Sequence, residues 1–321
     1  MLFLTDDDVR RLVMMKEAMA TVEKAFGEYA KGHVLMPPRS TMMLERHRGS
    51  ISLMPSYLEE TGVAATKIIS IYPLNPAKGL PTSIAQIIVN DPETGRFIAT
   101  IEASYLTALR TGAVTGVAAK YLARRNSRIA AIIGCGIQGQ TQASAVVESR
   151  AIETLKCYDL SRERSRAFAE EMARKFGVEV LPAETAEEGV RDADIVITST
   201  TSKEPVIRRD WLWEGVHISA IGSFYPDHRE LDTATVGDAK VVVDSREAAL
   251  AEAGDLIIPL KEGAITKEHI YAELGELVIG LKPGRTKEEE LTLFKSVGLA
   301  IQDSSVAGLV VKKWMESLIN T

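Results

Sequence analysis

The 321-residue sequence has only two cysteines, Cys135 and Cys157, and its five histidines show no metal-ligand spacing. Two cysteines cannot form a disulfide framework, so we expect a protein of the reducing cytoplasm without a metal site. No apolar run approaches the roughly eighteen residues of a membrane-spanning helix. Because Met1–Asp8 contains no basic side chain, we also expect no secretory signal.

The sequence also lacks blocks of positive charge. Its formal net charge is −6, and basic residues are adjacent only in pairs such as Arg124-Arg125. We therefore expect neither a nucleic-acid surface nor a membrane surface. What is present is the composition of a globular protein, 45% hydrophobic and 26% charged, in a chain long enough for two domain cores.

A glycine-rich turn is the most informative feature of the sequence. In 128–139, RIAAIIGCGIQG, a β-branched run enters a G-x-G-x-x-G motif formed by Gly134, Gly136 and Gly139. The first glycine permits a tight turn, the second lets a pyrophosphate approach the backbone, and the third lets the following helix pack on the strand. The N-terminus of that helix offers unpaired N–H groups to phosphates. The sequence therefore predicts a dinucleotide site.

The end of the next predicted strand bears on the choice of cofactor. That strand ends in Asp159, twenty positions after Gly139, where an acid typically accepts hydrogen bonds from the adenosine ribose. Its charge favours NAD, because a carboxylate repels the 2′-phosphate of NADP. Arg162 would accept that phosphate if Asp159 turned away, so NADP stays an alternative.

The hydrophobic pattern predicts two kinds of fold. An N-cap at Thr5 opens a helix to about Gly32, and a mostly antiparallel sheet follows. Beyond residue 128, strands alternate with helices, which is typical of a doubly wound parallel sheet. The predicted strands are 39–44, 49–54, 63–72, 82–90, 96–102, 129–133, 154–159, 178–181, 194–198, 216–221 and 240–244. The later helices are predicted at 104–124, 140–149, 161–176, 273–279 and 298–317.

The last predicted helix has an apolar stripe and is expected to pack back on the N-terminal part. The predicted fold class is therefore α/β, with a Rossmann doubly wound sheet inserted in a second, α+β domain. The predicted domains are 116–298 for the Rossmann part and 1–115 plus 299–321 for the other.

One lysine lies on an apolar strand face. Strand alternation places Lys67 on the same side as Val63, Ala65, Ile69 and Ile71. Burial there would lower the pKa of Lys67 towards the range useful for proton transfer. The alternative is an edge-strand lysine whose stem reaches water.

Two arginines are candidates for binding an anion. Arg110 shares a helical stripe with Leu106 and Ala113, and it would either clamp a carboxylate or phosphate or form an interdomain salt bridge. Arg39 follows Pro37-Pro38 at the entry to a strand, and it is either a site residue or a solvated surface arginine.

Ordered motifs over nearly the whole length resemble the ornithine cyclodeaminase/mu-crystallin family, which includes archaeal alanine dehydrogenases and ketimine reductases. The matching motifs are MPPR at 36–39, TK at 66–67, NPAKGLPT at 75–82, LTALRTGA at 106–113, the glycine turn, RELD at 229–232, GLKPG at 280–284 and KSVG at 295–298. The resemblance implies a homodimer. In each subunit the N-terminal part and the last helix would form a substrate-binding and dimerisation domain, with the Rossmann domain between them.

The resemblance also implies roles for single residues. Arg39, Lys67 and Arg110 would surround the substrate and hold its carboxylate, and Lys67 would be the catalytic residue that handles protons. Thr200, Gly222 and Ser223 would lie at the nicotinamide end of the cofactor. The full set of expected cofactor contacts is Arg110, Thr111, Gly112, Gly134, Gly136, Ile137, Gln138, Gly139, Asp159, Leu160, Ser161, Arg162, Thr200, Gly222, Ser223, Val297 and Gly298.

Two departures from the family argue against ornithine cyclisation. Phe224 stands where cyclodeaminases carry a proton-handling aspartate, and Ser52 stands where they carry an acid. We therefore expect NAD(P)H-dependent reduction of a 2-imino acid to an L-amino acid, or the reverse oxidative deamination. The imine would be a cyclic ketimine or that of a 2-oxo acid with ammonia, and Phe224 would offer it an apolar wall. The alternatives are an NAD-dependent ornithine cyclodeaminase and a non-catalytic, mu-crystallin-like NAD(P)H-dependent ligand-binding protein.

Overall fold

A computed structural model describes residues 1–319 of the chain. In chain order the strands are β1 (Leu2–Leu4), β2 (Val34–Leu35), β3 (Ser40–Leu44), β4 (Gly49–Leu58), β5 (Val63–Ile71), β6 (Ser83–Asn90), β7 (Phe97–Glu102), β8 (Ile129–Ile133), β9 (Thr154–Tyr158), β10 (Glu179–Pro182), β11 (Ile195–Thr198), β12 (His217–Ala220), β13 (Lys240–Val243), β14 (Ile270–Glu273) and β15 (Thr292–Lys295). The α-helices are α1 (Asp6–Leu12), α2 (Met15–Ala30), α3 (Ser104–Leu122), α4 (Ile137–Ser149), α5 (Arg162–Phe176), α6 (Ala186–Val190), α7 (Thr233–Asp238), α8 (Arg246–Glu252), α9 (Gly254–Lys261), α10 (Leu274–Val278) and α11 (Ala300–Ile319).

These elements form two compact units. The first unit is Met1–Arg110 with the segment from Leu299 onward, and the second unit is Thr111–Gly298. The division after Arg110 and the predicted division after residue 115 both fall in α3. The functional roles predicted for the two domains stay predictions.

The first unit contains a seven-stranded sheet in the order β1-β7-β6-β5-β4-β2, with β3 also paired to β4. Its neighbours are antiparallel except β1 and β7, which are parallel. Helix α11 packs against β4, β5, β6 and α2. Its Gly308 allows a close approach, because a Cβ there would lie 2.5 Å from a methyl group of Val63. The prediction that the last helix packs on the N-terminal part is confirmed.

The single N-terminal helix predicted to about residue 32 is wrong, because the segment forms two helices. Thr5 caps α1 as expected, but the backbone is extended at Val13 and Met14. The carboxylate of Glu17 accepts a hydrogen bond from the Met14 N–H at 3.0 Å and so starts α2. The apolar periodicity of the sequence continues across Val13 and Met14, so it does not predict the break between the two helices.

The second unit contains an eight-stranded sheet in the order β10-β9-β8-β11-β12-β15-β13-β14. Every neighbouring pair is parallel, which confirms the doubly wound α/β class. The order reverses beside β8, and ligands of such sheets bind outside the carboxyl ends of the strands at this point. Sequence patterns missed β14 and β15, because a strand of four residues is too short for its period to be read.

Residues 1–319 contain neither a membrane-spanning helix nor a cluster of metal ligands. None of their helices combines the length and the apolarity that a membrane crossing requires. In the same residues, no three His, Cys, Asp or Glu side chains come together as ligands for a metal ion.

Candidate active site

Lys67 is buried in the interior of the first unit. Strand β5 lies between β4 and β6, and Lys67 pairs there with Met54 and Ile87. The lysine is 1% exposed, and its Nζ lies 2.7 Å from Oδ2 of Asp303 in α11. The alternative of an edge-strand lysine reaching water is therefore wrong.

Asp303 joins Lys67 to Arg110. Its Oδ1 accepts a hydrogen bond from Arg110 Nε at 2.9 Å, and Arg110 Nη1 donates to the side-chain oxygen of Gln302. Neither of these bonds uses Arg110 Nη2. All four residues belong to the first unit, so the salt bridge of Arg110 is not an interdomain one. We call Lys67, Asp303, Arg110 and Gln302 the lysine cluster.

The surroundings of Lys67 set its protonation. The pKa of Lys67 is lowered to about 7; burial is the largest cause, the nearby Asp303 carboxylate opposes the shift, and the guanidinium groups of Arg110 and Arg39 add to it. At neutral pH both the ammonium and the amine are therefore populated, which suits a group that transfers protons. Arg39 itself is partly exposed. The side chains of Lys67, Arg110 and Arg39 thus bring cationic groups together, an arrangement that favours an anionic ligand.

The glycine turn in the second unit fits a pyrophosphate. Gly134 has φ +101°, and a Cβ on it would lie 2.7 Å from the Ser199 carbonyl oxygen. A Cβ on Gly139 would lie 2.3 Å from the carbonyl oxygen of Gly134, whereas one on Gly136 would meet nothing within 4 Å. The N-cap of α4 is Gly136, which has no side chain to bind the first N–H groups of the helix, and such groups are suited to a phosphate.

Asp159 ties the end of β9 to this turn. Its Oδ2 accepts a hydrogen bond from the Cys135 N–H at 3.0 Å, and its Oδ1 accepts one from the Ser161 N–H at 2.9 Å. Arg164 Nη1 lies 3.2 Å from the same carboxylate. These bonds hold Asp159 at the end of β9, and Arg164 was not foreseen from the sequence.

Arg162, which the sequence offered for a 2′-phosphate, is engaged elsewhere. It forms an ion pair with Glu184, and both side chains are exposed. Two apolar side chains are exposed at the same edge of the sheet, since Leu160 is 93% and Ile137 is 67% accessible. Next to Ile137, Gln138 has a buried Oε1 without a hydrogen-bond partner among the described residues.

The remaining cofactor candidates of the second unit also follow parallel strands. Thr200 follows β11, Gly222 and Ser223 follow β12, and Val297 and Gly298 follow β15. They share the carboxyl edge of the sheet with the glycine turn, because all of these strands are parallel neighbours. Elsewhere, Thr111 and Gly112 are buried directly after Arg110 in α3, in the interval assigned to the second unit.

The two residues that depart from the family have different surroundings. Phe224 is partly buried and packs against the hydrophobic core of the second unit, with its ring 4.6 Å from that of Tyr225. Ser52 is buried in the first unit, and its hydroxyl lies 2.8 Å from that of Thr41. The chain thus has no carboxylate at either position.

The structure also shows buried acids that sequence patterns did not assign. Asp303 lies in the segment 300–307 of α11, where every residue is buried. In the sequence, an acid among small and apolar residues was the only sign that Asp303 is buried. In the second unit, Glu230, Asp255 and Lys295 are fully buried together. The sequence indicated this second cluster only through Lys295, which ends the apolar run TLFK at 292–295.

Comparison with known proteins gives consistent matches over nearly the whole chain. The sequence profile of the ornithine cyclodeaminase/mu-crystallin family matches residues 1–317. The structure of Thermococcus litoralis Δ1-pyrroline-2-carboxylate reductase in complex with NADH and L-proline is 48% identical, with a TM-score of 0.97 and coverage of 99% of this chain and 98% of that chain. The resemblance and the fold class predicted from the sequence are confirmed.

Two alanine dehydrogenases are similar as well. That of Archaeoglobus fulgidus is 42% identical over 310 residues, which are 96% of this chain and 94% of that protein. The structure of an archaeal alanine dehydrogenase dimer with bound NAD is 40% identical, with a TM-score of 0.93 and coverage of 99% of this chain and 97% of that chain.

Proposed function

Because the chain belongs to the ornithine cyclodeaminase/mu-crystallin family, we propose that it catalyses the NADH-dependent reduction of a 2-imino acid to an L-amino acid. The first substrate to test is Δ1-pyrroline-2-carboxylate, whose reduction gives proline. The observation that carries the proposal is the lysine cluster, because it combines donors for a carboxylate with a lysine that exchanges its proton near neutral pH. The 48% identical structure with NADH and L-proline supports it.

NADH supplies a hydride from its nicotinamide ring, and the second unit has the groups to hold it. The N–H groups at the start of α4 and the open side of Gly136 would bind the pyrophosphate. Asp159 would accept hydrogen bonds from the adenosine ribose, and the exposed side chains of Ile137 and Leu160 would flank the adenine. Since Asp159 is held in place and Arg162 is paired with Glu184, NADH is favoured over NADPH.

The first unit would bind and protonate the imino acid. Arg110 Nη2 and Arg39 would hold the carboxylate, which fixes the orientation of the C=N bond. Lys67 would donate a proton from Nζ to the imine nitrogen while hydride adds to the carbon, so that C=N becomes CH–NH. Asp303 would retain Lys67 and Arg110 in place through both events.

The protein is further proposed to act as a homodimer, like the similar archaeal alanine dehydrogenase. The face of the first-unit sheet opposite α11 carries Met42, Leu53 and Ile84, which are 58%, 44% and 46% exposed. An apolar sheet face of this kind suits a second copy of the chain. Light scattering should give a dimer for the natural protein and a monomer for Leu53→Asp, and a monomeric natural protein would contradict this assignment.

The decisive experiment measures NADH consumption by the purified protein with a panel of imino acids. The panel contains Δ1-pyrroline-2-carboxylate, Δ1-piperideine-2-carboxylate, and pyruvate, glyoxylate or oxaloacetate with ammonia. We expect turnover of a cyclic ketimine, L-configured product and a kcat/KM higher with NADH than with NADPH. Formation of proline and ammonia from ornithine without added reductant would contradict the proposal, and so would tight NADH binding without turnover.

Alanine dehydrogenase activity is the second candidate. It is favoured by the 42% identity to the Archaeoglobus fulgidus enzyme. The two activities differ in the ammonia requirement, because a cyclic ketimine already contains its nitrogen. The ratio of kcat/KM for Δ1-pyrroline-2-carboxylate to that for pyruvate with ammonia therefore decides between them.

A further inference from the structure

The second unit contains a buried charged network that makes no direct contribution to the proposed chemistry. Glu230, Asp255 and Lys295 are each 0% exposed. Lys295 Nζ lies 2.8 Å from Asp255 Oδ2 and donates a hydrogen bond to the Ser223 carbonyl at 2.6 Å. Burial of three ionisable groups is costly unless each is bonded, so the positions of their partners are informative.

Glu230 joins two loops at the carboxyl edge of the sheet. Its Oε1 accepts hydrogen bonds from the N–H of Thr200 at 2.7 Å and from the Thr200 hydroxyl at 2.9 Å. Its Oε2 accepts from the N–H of Gly222 at 2.7 Å and from that of Ser223 at 3.3 Å. The loops touch directly, because a Cβ on Gly222 would lie 2.1 Å from the Thr200 carbonyl oxygen.

Asp255 binds the backbone of Glu230, and Lys295 pairs with Asp255. Asp255 Oδ1 accepts hydrogen bonds from the N–H of Glu230 at 2.7 Å and from that of Leu231 at 2.9 Å. The pKa of Glu230 is raised: burial is the largest cause, the Asp255 carboxylate adds to it, and Lys295 and the hydrogen bonds from Thr200 oppose the rise. The Glu230 carboxyl oxygens accept all four of the hydrogen bonds described above, so both oxygens act as acceptors that join the two loops.

The sheet order indicates which part of a cofactor would meet these loops. Asp159 follows β9 on one side of β8, whereas Thr200 and Gly222 follow β11 and β12 on the other side. Dinucleotides bind doubly wound sheets across the switch point of the strand order, so the adenosine half would lie towards β9 and the nicotinamide half towards β11 and β12.

We propose that the Glu230–Asp255–Lys295 network is a positioning device that holds the loops after β11 and β12 as the platform for the nicotinamide half of the cofactor. This inference rests on the proposed function. Glu230 is a positioning residue, because it acts through Thr200, Gly222 and Ser223. Hydride transfer is sensitive to small displacements of the nicotinamide ring. If the two loops become mobile, hydride transfer should therefore slow, while binding of the adenosine half persists.

The test variant is Glu230→Gln, which keeps the size of the side chain but turns one acceptor into an N–H donor. We expect kcat to fall about 10–100-fold and the affinity for ADP-ribose to stay unchanged. The primary deuterium isotope effect with C4-deuterated NADH should rise, because hydride transfer then limits turnover. The affinity ratio of NADH to ADP-ribose should fall, and this ratio requires no turnover.

Asp194→Asn is the matched control at the opposite, amino end of the same sheet. The Asp194 carboxylate accepts hydrogen bonds from the N–H of Arg128 at 2.6 Å and from that of Ile129 at 2.9 Å, outside the cofactor edge. It should lower the melting temperature without a change in the isotope effect. If Glu230→Gln does not fold, Lys295→Met removes a different bond to the same loop, that to the Ser223 carbonyl, and should give the same kinetic signature.

An unchanged isotope effect and an unchanged NADH to ADP-ribose affinity ratio in the folded variants would overturn the inference. A wild-type protein without turnover of any imino acid would instead refute the proposed function. In that case the affinity ratio still tests the network: a fall supports the platform, and no change contradicts it.

Discussion

The two units each bury one lysine against one aspartate, yet the two pairs differ in what surrounds them. The separation is 2.7 Å for Lys67–Asp303 and 2.8 Å for Lys295–Asp255, and none of the four side chains is more than 1% exposed. Near Lys67 there are three cations and one carboxylate, counting Arg110 and Arg39. Near Lys295 there are one cation and two carboxylates.

The two pairs also differ in the groups that bind the charged side chains around each lysine. In the second unit, backbone N–H groups bind the extra carboxylate of Glu230, and a backbone carbonyl binds Lys295. In the first unit, Arg110 is bound by side chains instead, and its bonds to Asp303 and Gln302 leave out its Nη2. A buried lysine is therefore informative about chemistry only together with the charge left over around it.

The largest expected effect comes from removal of the Lys67 ammonium. Lys67→Met keeps an unbranched side chain but cannot donate a proton, so we expect kcat to fall about 10²–10⁴-fold. The dissociation constant for NADH should stay within about 3-fold, because Lys67 is not among the expected cofactor contacts, and the glycine turn and Asp159 lie in the other unit. Steady-state kinetics and NADH fluorescence titration measure the two quantities. Turnover near the wild-type rate would remove Lys67 from the mechanism.

The next largest effect is a difference between the two lysine pairs in their contribution to the free energy of unfolding. Lys295→Met leaves Asp255 and Glu230 without their cation, and loss of one partner of a buried pair costs about 3–5 kcal/mol. Lys67→Met should cost less, because Asp303 retains Arg110 and because Lys67 is only partly protonated at neutral pH. Urea denaturation at pH 7 gives the free energies of unfolding. An equal or larger loss in Lys67→Met would show that the lysine cluster is structural.

Local patterns made most of the scaffold predictable. The glycine turn and Asp159 belong to one strand–helix–strand unit, so their spacing alone indicated a dinucleotide site. Strand alternation placed Lys67 on a buried face, and helical spacing placed Arg110 on a buried stripe. These predictions used neighbours within one or two elements, where geometry fixes which residues share a face.

The pairing of the buried charges was not predictable from such patterns. Arg110 and Asp303 are 193 residues apart in sequence, and Lys295 meets Asp255 from a four-residue strand. Tertiary packing decides such contacts, and no local period encodes them. The sequence therefore offered Lys67 and Arg110 as separate candidates, whereas the structure shows them bound to one carboxylate.

The smallest expected effect is a change in pH dependence, and it tests what that carboxylate does. The groups that bear on Lys67 are Asp303 from α11, Arg110 from α3 and Arg39 ahead of β3. Asp303 stabilises the ammonium, so Asp303→Asn should lower the pKa of Lys67. Reduction requires the protonated lysine and declines as pH rises through that pKa. The high-pH limb of kcat/KM should therefore move to lower pH by about one unit.

Ser304→Ala is the control for this prediction. Ser304 neighbours Asp303 in α11, its hydroxyl lies 2.7 Å from that of Ser56, and its removal changes no charge. Its pH profile should match that of the natural protein even if its stability falls. A profile of Asp303→Asn with the same high-pH limb as the natural protein would mean that Asp303 does not act on the proton of Lys67. The role of Asp303 would then be limited to holding Arg110. The two lysine–aspartate pairs would no longer differ in whether the aspartate controls the protonation of its lysine.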